Sequence, residues 1–278
     1  MAPGQPERFD VVISGASFAG LALARGLRLA LGKDVRIALV DRAAGPQPHA
    51  DNRAFAIWAA SKNALAALGV WDAVASVAEP MTSIEITDSA LEDGLRPTLL
   101  TYNATTSDGS IAGYIVPAGA LVAALYDVLQ SDDGIRWIAP ADAIGLSVQS
   151  THIETHLADG HSLVSSLLVA AEGRQSRLRD AAGIKTTGWD YGQRGIVATV
   201  QFSQPHHGIA VQHFLPGGPF AMLPLSDGMG LVIAVTSYDG QLIISPTSCR
   251  ELMPDPEFFA QCLRDSFEEL RALTQAAA

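Results

Sequence analysis

The sequence is short of several things, and each shortage excludes a class of protein. It holds two cysteines in 278 residues, Cys249 and Cys262. Their spacing matches no zinc or dithiol motif, so both read as buried thiols in a reducing compartment, Cys262 on an apolar helix face. Basic residues are scarce: 18 Lys and Arg stand against 29 Asp and Glu, a net charge of −11. A duplex binder needs a basic face to displace counterions, so the balance argues against nucleic acid and against a purely electrostatic membrane anchor. No apolar run reaches the roughly eighteen residues of a membrane span, and Met229 to Val235 has the length of a buried strand. The opening MAPGQPERFD lacks the basic and apolar blocks of a signal peptide, which predicts a cytoplasmic protein. No internal repeat or low-complexity tract is present. What remains is 48% hydrophobic and 17% charged. That is a globular composition, long enough for one large domain or two ordinary ones.

The richest stretch is VVISGASFAGLALA, residues 11–24. Phe9 to Ser14 predicts a short buried strand and Gly15 to Gly20 a turn. Phe18 to Leu31 is apolar almost all round and predicts a buried helix that Gly32 can close in a left-handed conformation. Val35 to Val40 predicts a second buried strand, with Asp41 directly after it. The order and length are those of the first βαβ unit of a dinucleotide fold.

Two readings compete for Ser17. Gly15-Ala16-Ser17-Phe18-Ala19 approximates the Gly-x-Ser-x-Gly turn of a serine nucleophile, with alanine where the last glycine belongs. An acid and then a histidine must follow in the chain. His206, His207 and His213 are available, and none stands out. Alternatively Gly15-x-Ser17-x-x-Gly20 is a phosphate-binding loop. Gly15 then makes the tight turn, Gly20 lets helix and strand approach, and small Ser17 leaves room for a pyrophosphate. Asp41 would grip a ribose hydroxyl. Only the second reading explains Asp41.

Beyond Arg42 the segment AAGPQPHADNR is a loop. AFAIWAASKNALAALGVWDAVAS resumes helical periodicity, with Phe55, Trp58, Ala59, Leu65 and Leu68 near one face and Gly69 ending the run. Arg53 would then stand at a helix start, where a cation opposes the dipole and calls for an anionic partner. A solvated arginine is the alternative. Met81 to Asp88 alternates as a strand, with Ile84 and Ile86 on one face, and Leu91 to Gly109 reads as loop. Pro117 to Gln130 is a helix opened by proline. Ile135–Ala139 and Ala143–Gln149 are strands. His152–Ala158 and His161–Val169 form a hairpin turned by Asp159-Gly160. His152, Glu154 and His156 share a face of that hairpin, which reads as a solvated polar face, with no metal site. Strands follow at Ile196–Phe202, Ile209–Phe214, Pro219–Leu223 and Gly230–Thr236, with a turn at Pro216 to Pro219. Pro256 to Leu273 is an amphipathic helix capped by Asp255.

GASFAGLALA, VDR, DNRAFAIWAASKNALAALGVWD, AGYIVPAGALVAAL, LLVAAEGRQSRLRDAAGI and WDYGQRGIVATV followed by PHHGIAVQHFLPGGPFAMLPL occur in this order. Together they resemble the ubiquinone-biosynthesis aromatic-ring hydroxylases, single-component FAD monooxygenases with the para-hydroxybenzoate-hydroxylase fold. The resemblance covers about two hundred residues. It implies an α/β fold: a Rossmann-like FAD-binding domain, residues 1–80 and 111–185, with an interleaved β-sheet substrate domain, residues 81–110 and 186–278. It implies that Gly15, Ser17, Phe18, Ala19 and Gly20 form the pyrophosphate loop. Asp41 would hold the FAD ribose with Arg42 beside it, and Arg53 would reach the flavin side. Glu172 and Gly173 fall on the family's Asp-Gly motif, with reach longer by one methylene at Glu172. The implied sheet borders a substrate chamber that Phe220, Met222 and Pro224 could line, core packing being the alternative.

The implied chemistry is transfer of one oxygen atom from O2 to a phenolic, prenylated quinone-precursor ring, with NAD(P)H as reductant. It requires no acid or base from a side chain, so no catalytic residue is assigned. The expected partner is a small aromatic substrate, with peripheral attachment to the inner membrane or to a biosynthetic complex left open. The family's C-terminal Gly-Asp and His-Pro glycine-rich stretch is missing after Ala234. The resemblance therefore predicts a truncated or divergent member whose flavin site lacks a wall. The competing expectation is a non-catalytic binding or scaffold relative that has lost the flavin.

Overall fold

The computed structural model describes residues 6–45, 52–88, 97–186, 194–215 and 218–236. The expected helix at Pro256 to Leu273, both cysteines and the start of the Pro216 turn lie outside the described residues. The elements are β1 (Glu7–Ser14), α1 (Phe18–Leu31), β2 (Ile37–Val40), β3 (Ala54–Trp58), α2 (Ala59–Ala67), α3 (Trp71–Val74), β4 (Glu79–Met81), β5 (Ser83–Asp88), β6 (Thr98–Asn103), β7 (Gly113–Pro117) and α4 (Ala118–Gln130). Then come β8 (Ile135–Ile138), β9 (Ala143–Val148), β10 (Ile153–Leu157), β11 (Ser162–Ala170), α5 (Arg177–Ala181), β12 (Arg194–Gln201), β13 (Ile209–Leu215), β14 (Gly218–Pro224) and β15 (Met229–Thr236). They fall into two compact units, Met1–Met81 with Ala104–Asp190 and Thr82–Asn103 with Tyr191–Ala278.

The first unit is built on a six-stranded sheet in the order β8-β2-β1-β11-β10-β9. Its β8, β2, β1 and β11 run parallel, and β10 pairs antiparallel with both β11 and β9. Parallel strands buried on both faces need apolar side chains at every position. VVI and IALV supply them, and all seven of these residues are buried, as is Ser14 after them, whose hydroxyl bonds Glu172. Val11, Ile13, Ile37 and Leu39 point into one core, where Leu21 and Ala24 of α1 meet Leu125 and Leu129 of α4. Val12, Ala38 and Val40 point the other way, into a second core with Leu157, Leu163 and Leu178. The α1 helix ends where expected: Gly32 adopts φ +82° and donates to Arg28 O at 3.1 Å. A small sheet, β3-β7-β4, completes the unit. The architecture is α/β and Rossmann-like, with β2 on one side of β1 and β11 on the other. The turn after β1 thus stands at the switch point where ligands of such sheets bind.

The second unit is one sheet, β12-β15-β14-β13-β5-β6, antiparallel except for the β13–β5 pair. Phe220 and Met222 are half-buried on β14 and Pro224 is buried.

Three sequence expectations need correction. Ala54–Trp58 is a strand paired antiparallel with β7, and the helix begins only at Ala59. Arg53 therefore precedes a strand, and the helix-dipole argument for its partner falls. Five apolar residues with aromatic and β-branched members suit a strand once β7 offers an edge. Within the expected loop Leu91–Gly109, Thr98–Asn103 pairs with β5; all six residues are exposed, so no buried stripe marks the strand. Met81–Asp88 is broken at Thr82, whose amide bonds Gly208 O, and its two parts join different sheets.

The β10–β11 hairpin forms, with Gly160 at φ +88°. His152 pairs with Glu154 at 3.4 Å, while His156 is bonded to Ser147 Oγ and Ser162 Oγ at 2.8 and 3.0 Å. Among the described residues no helix is long and apolar enough to cross a membrane.

Candidate functional site

Strand β1 ends at Ser14 and the chain must turn at once into α1. Gly15 makes the turn at φ +106°, a conformation L side chains rarely adopt. A Cβ there would also lie 2.3 Å from Ala171 O. At Gly20 a Cβ would lie 1.9 Å from Gly15 O, so the first turn of α1 can fold back onto the loop only with glycine at this position. The Gly15 amide donates to Val40 O at 2.8 Å, tying the loop to the end of β2.

Asp41 completes the turn. Its Oδ2 accepts from Ala16 N at 2.7 Å and its Oδ1 from Ala43 N at 2.8 Å. A carboxylate has about four acceptor positions, so capacity remains for a further donor. Ser17 is the extended N-cap residue of α1, but its side chain makes no capping bond, and the first helical turn contains no acidic residue. The amide hydrogens that open the fourteen-residue helix are thus not consumed by a cap, and the positive end of the dipole faces outward.

These groups border a cavity of about 820 Å³. Gly15, Ser17, Phe18, Ala19, Asp41, Arg42, Arg53, Glu172 and Gly173 all line it. Gly20 does not; it is buried beneath the loop and acts through packing. The Arg53 guanidinium sits 5.8 Å over the Phe55 ring, which meets Phe18 edge-on at 5.2 Å. That stack brings the start of β3 to the start of α1.

Glu172 lines the cavity, but its carboxylate is engaged by protein. Ser14 Oγ donates to Oε1 at 3.0 Å, and Ser176 Oγ and Leu178 N donate to Oε2 at 2.7 and 3.1 Å. Glu172 thereby clamps the end of β1 to the start of α5.

Sequence reasoning missed Asp142, Arg174 and Arg177, which also line the cavity. The arginines fall in EGRQSR, a cluster of cations in an acidic chain that could have been weighed. Asp142 carries no local signal; Ala141 N donating to Asp41 O at 2.7 Å brings its segment alongside. Arg42 and Arg174 are exposed and, among the described residues, form no ion pair. Among the described residues no histidine lines the cavity, so the nucleophile reading of Ser17 gains no imidazole base there.

The residues present fit a dinucleotide. The glycine cradle admits a diphosphate against backbone amides, unpaired guanidiniums match its charge, and Asp41 is placed for a sugar.

Known proteins resemble this chain in sequence and in fold. The FAD binding domain family model matches residues 8–241. A second model, the WS/DGAT C-terminal domain, matches residues 217–271, of which only Gly218 to Thr236 are described, as β14 and β15. The chain is 34% identical over 222 residues to the ubiquinone hydroxylase UbiL of Rhodospirillum rubrum, covering 78% of this chain and 49% of that protein. It is 31% identical over 253 residues to the mitochondrial ubiquinone biosynthesis monooxygenase COQ6 of Rattus norvegicus, covering 83% and 50%. The chain thus spans about half the length of these relatives. Among solved structures, the flavin-dependent monooxygenase PieE in complex with FAD and substrate superposes with a TM-score of 0.71 at 19% identity, covering 95% of this chain and 47% of that one.

Proposed function

The chain belongs to the FAD binding domain family, and from that membership we propose that it holds FAD in the cavity at the start of α1 as part of an aromatic-ring monooxygenase. The observation that carries the proposal is the cavity itself: an uncapped helix start, Asp41 beside it, and the guanidiniums of Arg42 and Arg174, which form no ion pair among the described residues, in a protein of net charge −11. The loop amides of Ser17 to Gly20 and the side chains of Arg42 and Arg174 would receive the diphosphate, Arg53 would approach from β3, and Asp41 would accept from the ribose. Bound FAD would supply the redox and oxygen-transfer chemistry, with NAD(P)H as reductant. The protein's task is to bind, orient and exclude water. The substrate class we propose is a phenolic ring of a prenylated quinone precursor, since the two relatives carry ubiquinone in their names. The domain division proposed with it assigns residues 1–80 and 111–185 to the cofactor and 81–110 and 186–278 to the substrate. Attachment to a membrane surface or to a biosynthetic complex belongs to the same proposal, because a prenylated substrate resides in lipid.

Titrating the purified chain with FAD tests the reading. Flavin fluorescence should quench to a one-to-one endpoint, and ADP should compete while riboflavin should not. Competition by riboflavin but not ADP would place the ligand elsewhere and overturn it.

A further inference from the structure

Two charged side chains in the cavity have no place in that scheme. Arg177 Nη2 donates to both carboxylate oxygens of Asp142, at 2.8 and 2.6 Å. A carboxylate is a costly neighbour for a diphosphate, because like charges a few ångströms apart repel. Asp142 is also held in position. Its carbonyl accepts from Ala158 N at 2.9 Å, and the preceding Ala141 donates to Asp41 O at 2.7 Å. Arg177 opens α5, fixed on either side by Ser176 and Leu178, which both bond Glu172. The backbones are therefore fixed while the charged ends are exposed, Arg177 by 50% and Asp142 by 32%.

The pair is made to be broken cheaply. It uses a single guanidinium nitrogen and forgoes the two-pronged geometry of the strongest arginine–carboxylate pairs. Exposed pairs of this kind shift an equilibrium by at most about five-fold.

We propose that Asp142 is a built-in competitor for the anionic ligand of this cavity, holding Arg177 in the ligand's absence and yielding it to the diphosphate on binding. The inference rests on the cofactor reading above. Arg177 becomes a third diphosphate cation beside Arg42 and Arg174, and Asp142 sets the affinity threshold, selecting ligands with enough negative charge to outbid one carboxylate.

The test is affinity for ADP and for FAD in the full chain, in wild type, Asp142→Asn, Arg177→Gln and the double variant. Thermal melts check that each folds, Arg177 being exposed and Asp142 half-buried. Asp142→Asn should tighten ADP binding about two- to five-fold and steepen its salt dependence. Arg177→Gln should weaken it by a similar factor. In the Arg177→Gln background Asp142→Asn removes only the carboxylate's repulsion of the diphosphate, so its gain there should be smaller than in the wild type. Unchanged or weaker binding by Asp142→Asn overturns the proposal, as does a gain that is equally large in the Arg177→Gln background. A wild type that binds neither ligand overturns the cofactor reading and this proposal with it. A wild type that binds both, with Asp142→Asn unchanged, overturns this proposal alone.

Discussion

The carboxylate of Asp41 and the backbone of Ala16 are joined by a 2.7 Å hydrogen bond, Ala16 N donating to Oδ2. The residue proposed to recognise a sugar thus first holds the loop proposed to receive the diphosphate. With Ala43 N on Oδ1, the side chain fastens the ends of β1 and β2 to each other. On the proposed reading, fold and ligand recognition share one carboxylate.

That sharing makes Asp41→Asn costly in two ways. One face of the new side chain would present an N–H to a backbone N–H, leaving a part-buried amide unsatisfied at about 1–3 kcal/mol. The expected result is a lower melting temperature together with weaker FAD binding. A variant with wild-type stability that lost only affinity would separate the two roles.

Gly20→Ala should be more damaging than its single methyl suggests. The new carbon meets Gly15 O, a backbone atom that cannot move without unseating the turn. Overpacking of this kind costs about 1–3 kcal/mol, and the loop that faces the ligand must shift. Gly26→Ala on the same helix is the control, since its Cβ would find Leu68 Cδ2 at an ordinary 3.9 Å. Denaturant melts of both variants read the difference directly.

How much of this was legible in the sequence depends on how local the cause is. The α1 helix, its Gly32 end and Asp41 after β2 could be read because apolar periodicity and glycine punctuation lie within one short segment. The β3 strand could not, because AFAIW runs into AASKNALAA with no break in apolar pattern. What makes it a strand is β7, some sixty residues away. For Glu172 the residue was legible and its role was not. Its partner Ser14 is 158 positions distant, and no local pattern announces a clamp of that span. Asp142 was invisible for the same reason.

The clamp gives Glu172 an unusual order of tolerance. In Glu172→Gln the amide oxygen can keep Ser176 and Leu178, while Ser14, a hydroxyl, can turn to accept from the new N–H. That change should cost less than about 1 kcal/mol. Glu172→Asp, although it keeps the charge, is one methylene too short to reach Ser14 and the start of α5 together. It should melt lower than the Gln variant. The reverse order in thermal melts would mean that charge, not reach, matters here.

Arg42→Gln and Arg174→Gln should leave stability unchanged, since each is exposed and unpaired among the described residues. Each should weaken FAD binding several-fold at low salt, with the gap narrowing as salt rises and screens the lost attraction. Equal loss at all salt concentrations would point to a packing role.

The last prediction concerns acid stability and a site far from the cavity. Arg28, near the end of α1, is saturated. Its Nη1 donates to the carbonyls of Gly32, Lys33 and Val35 at 3.0, 2.8 and 2.8 Å, its Nε donates to Asp132 at 3.0 Å, and its Nη2 lies 2.6 Å from that carboxylate. The two side chains are only 9% and 16% exposed. The hydrogen bond from Arg28 holds the Asp132 carboxyl below the usual range; burial opposes this, and the Gly134 amide and the positive charge of Arg28 assist. A carboxyl whose folded pKa is depressed contributes stability that is complete above its unfolded value, about 3.9, and is lost as pH falls through the folded value. Asp132→Asn should therefore cost about 1–3 kcal/mol at neutral pH, the scale for losing a charge-assisted hydrogen bond in a part-buried pair whose arginine keeps its carbonyl partners. Its deficit relative to wild type should shrink below pH 4, as the wild type loses what the variant never had. Urea melts from pH 7 down to pH 3 measure both curves, and parallel curves across that range would show that Asp132 draws no stability from its ionised form.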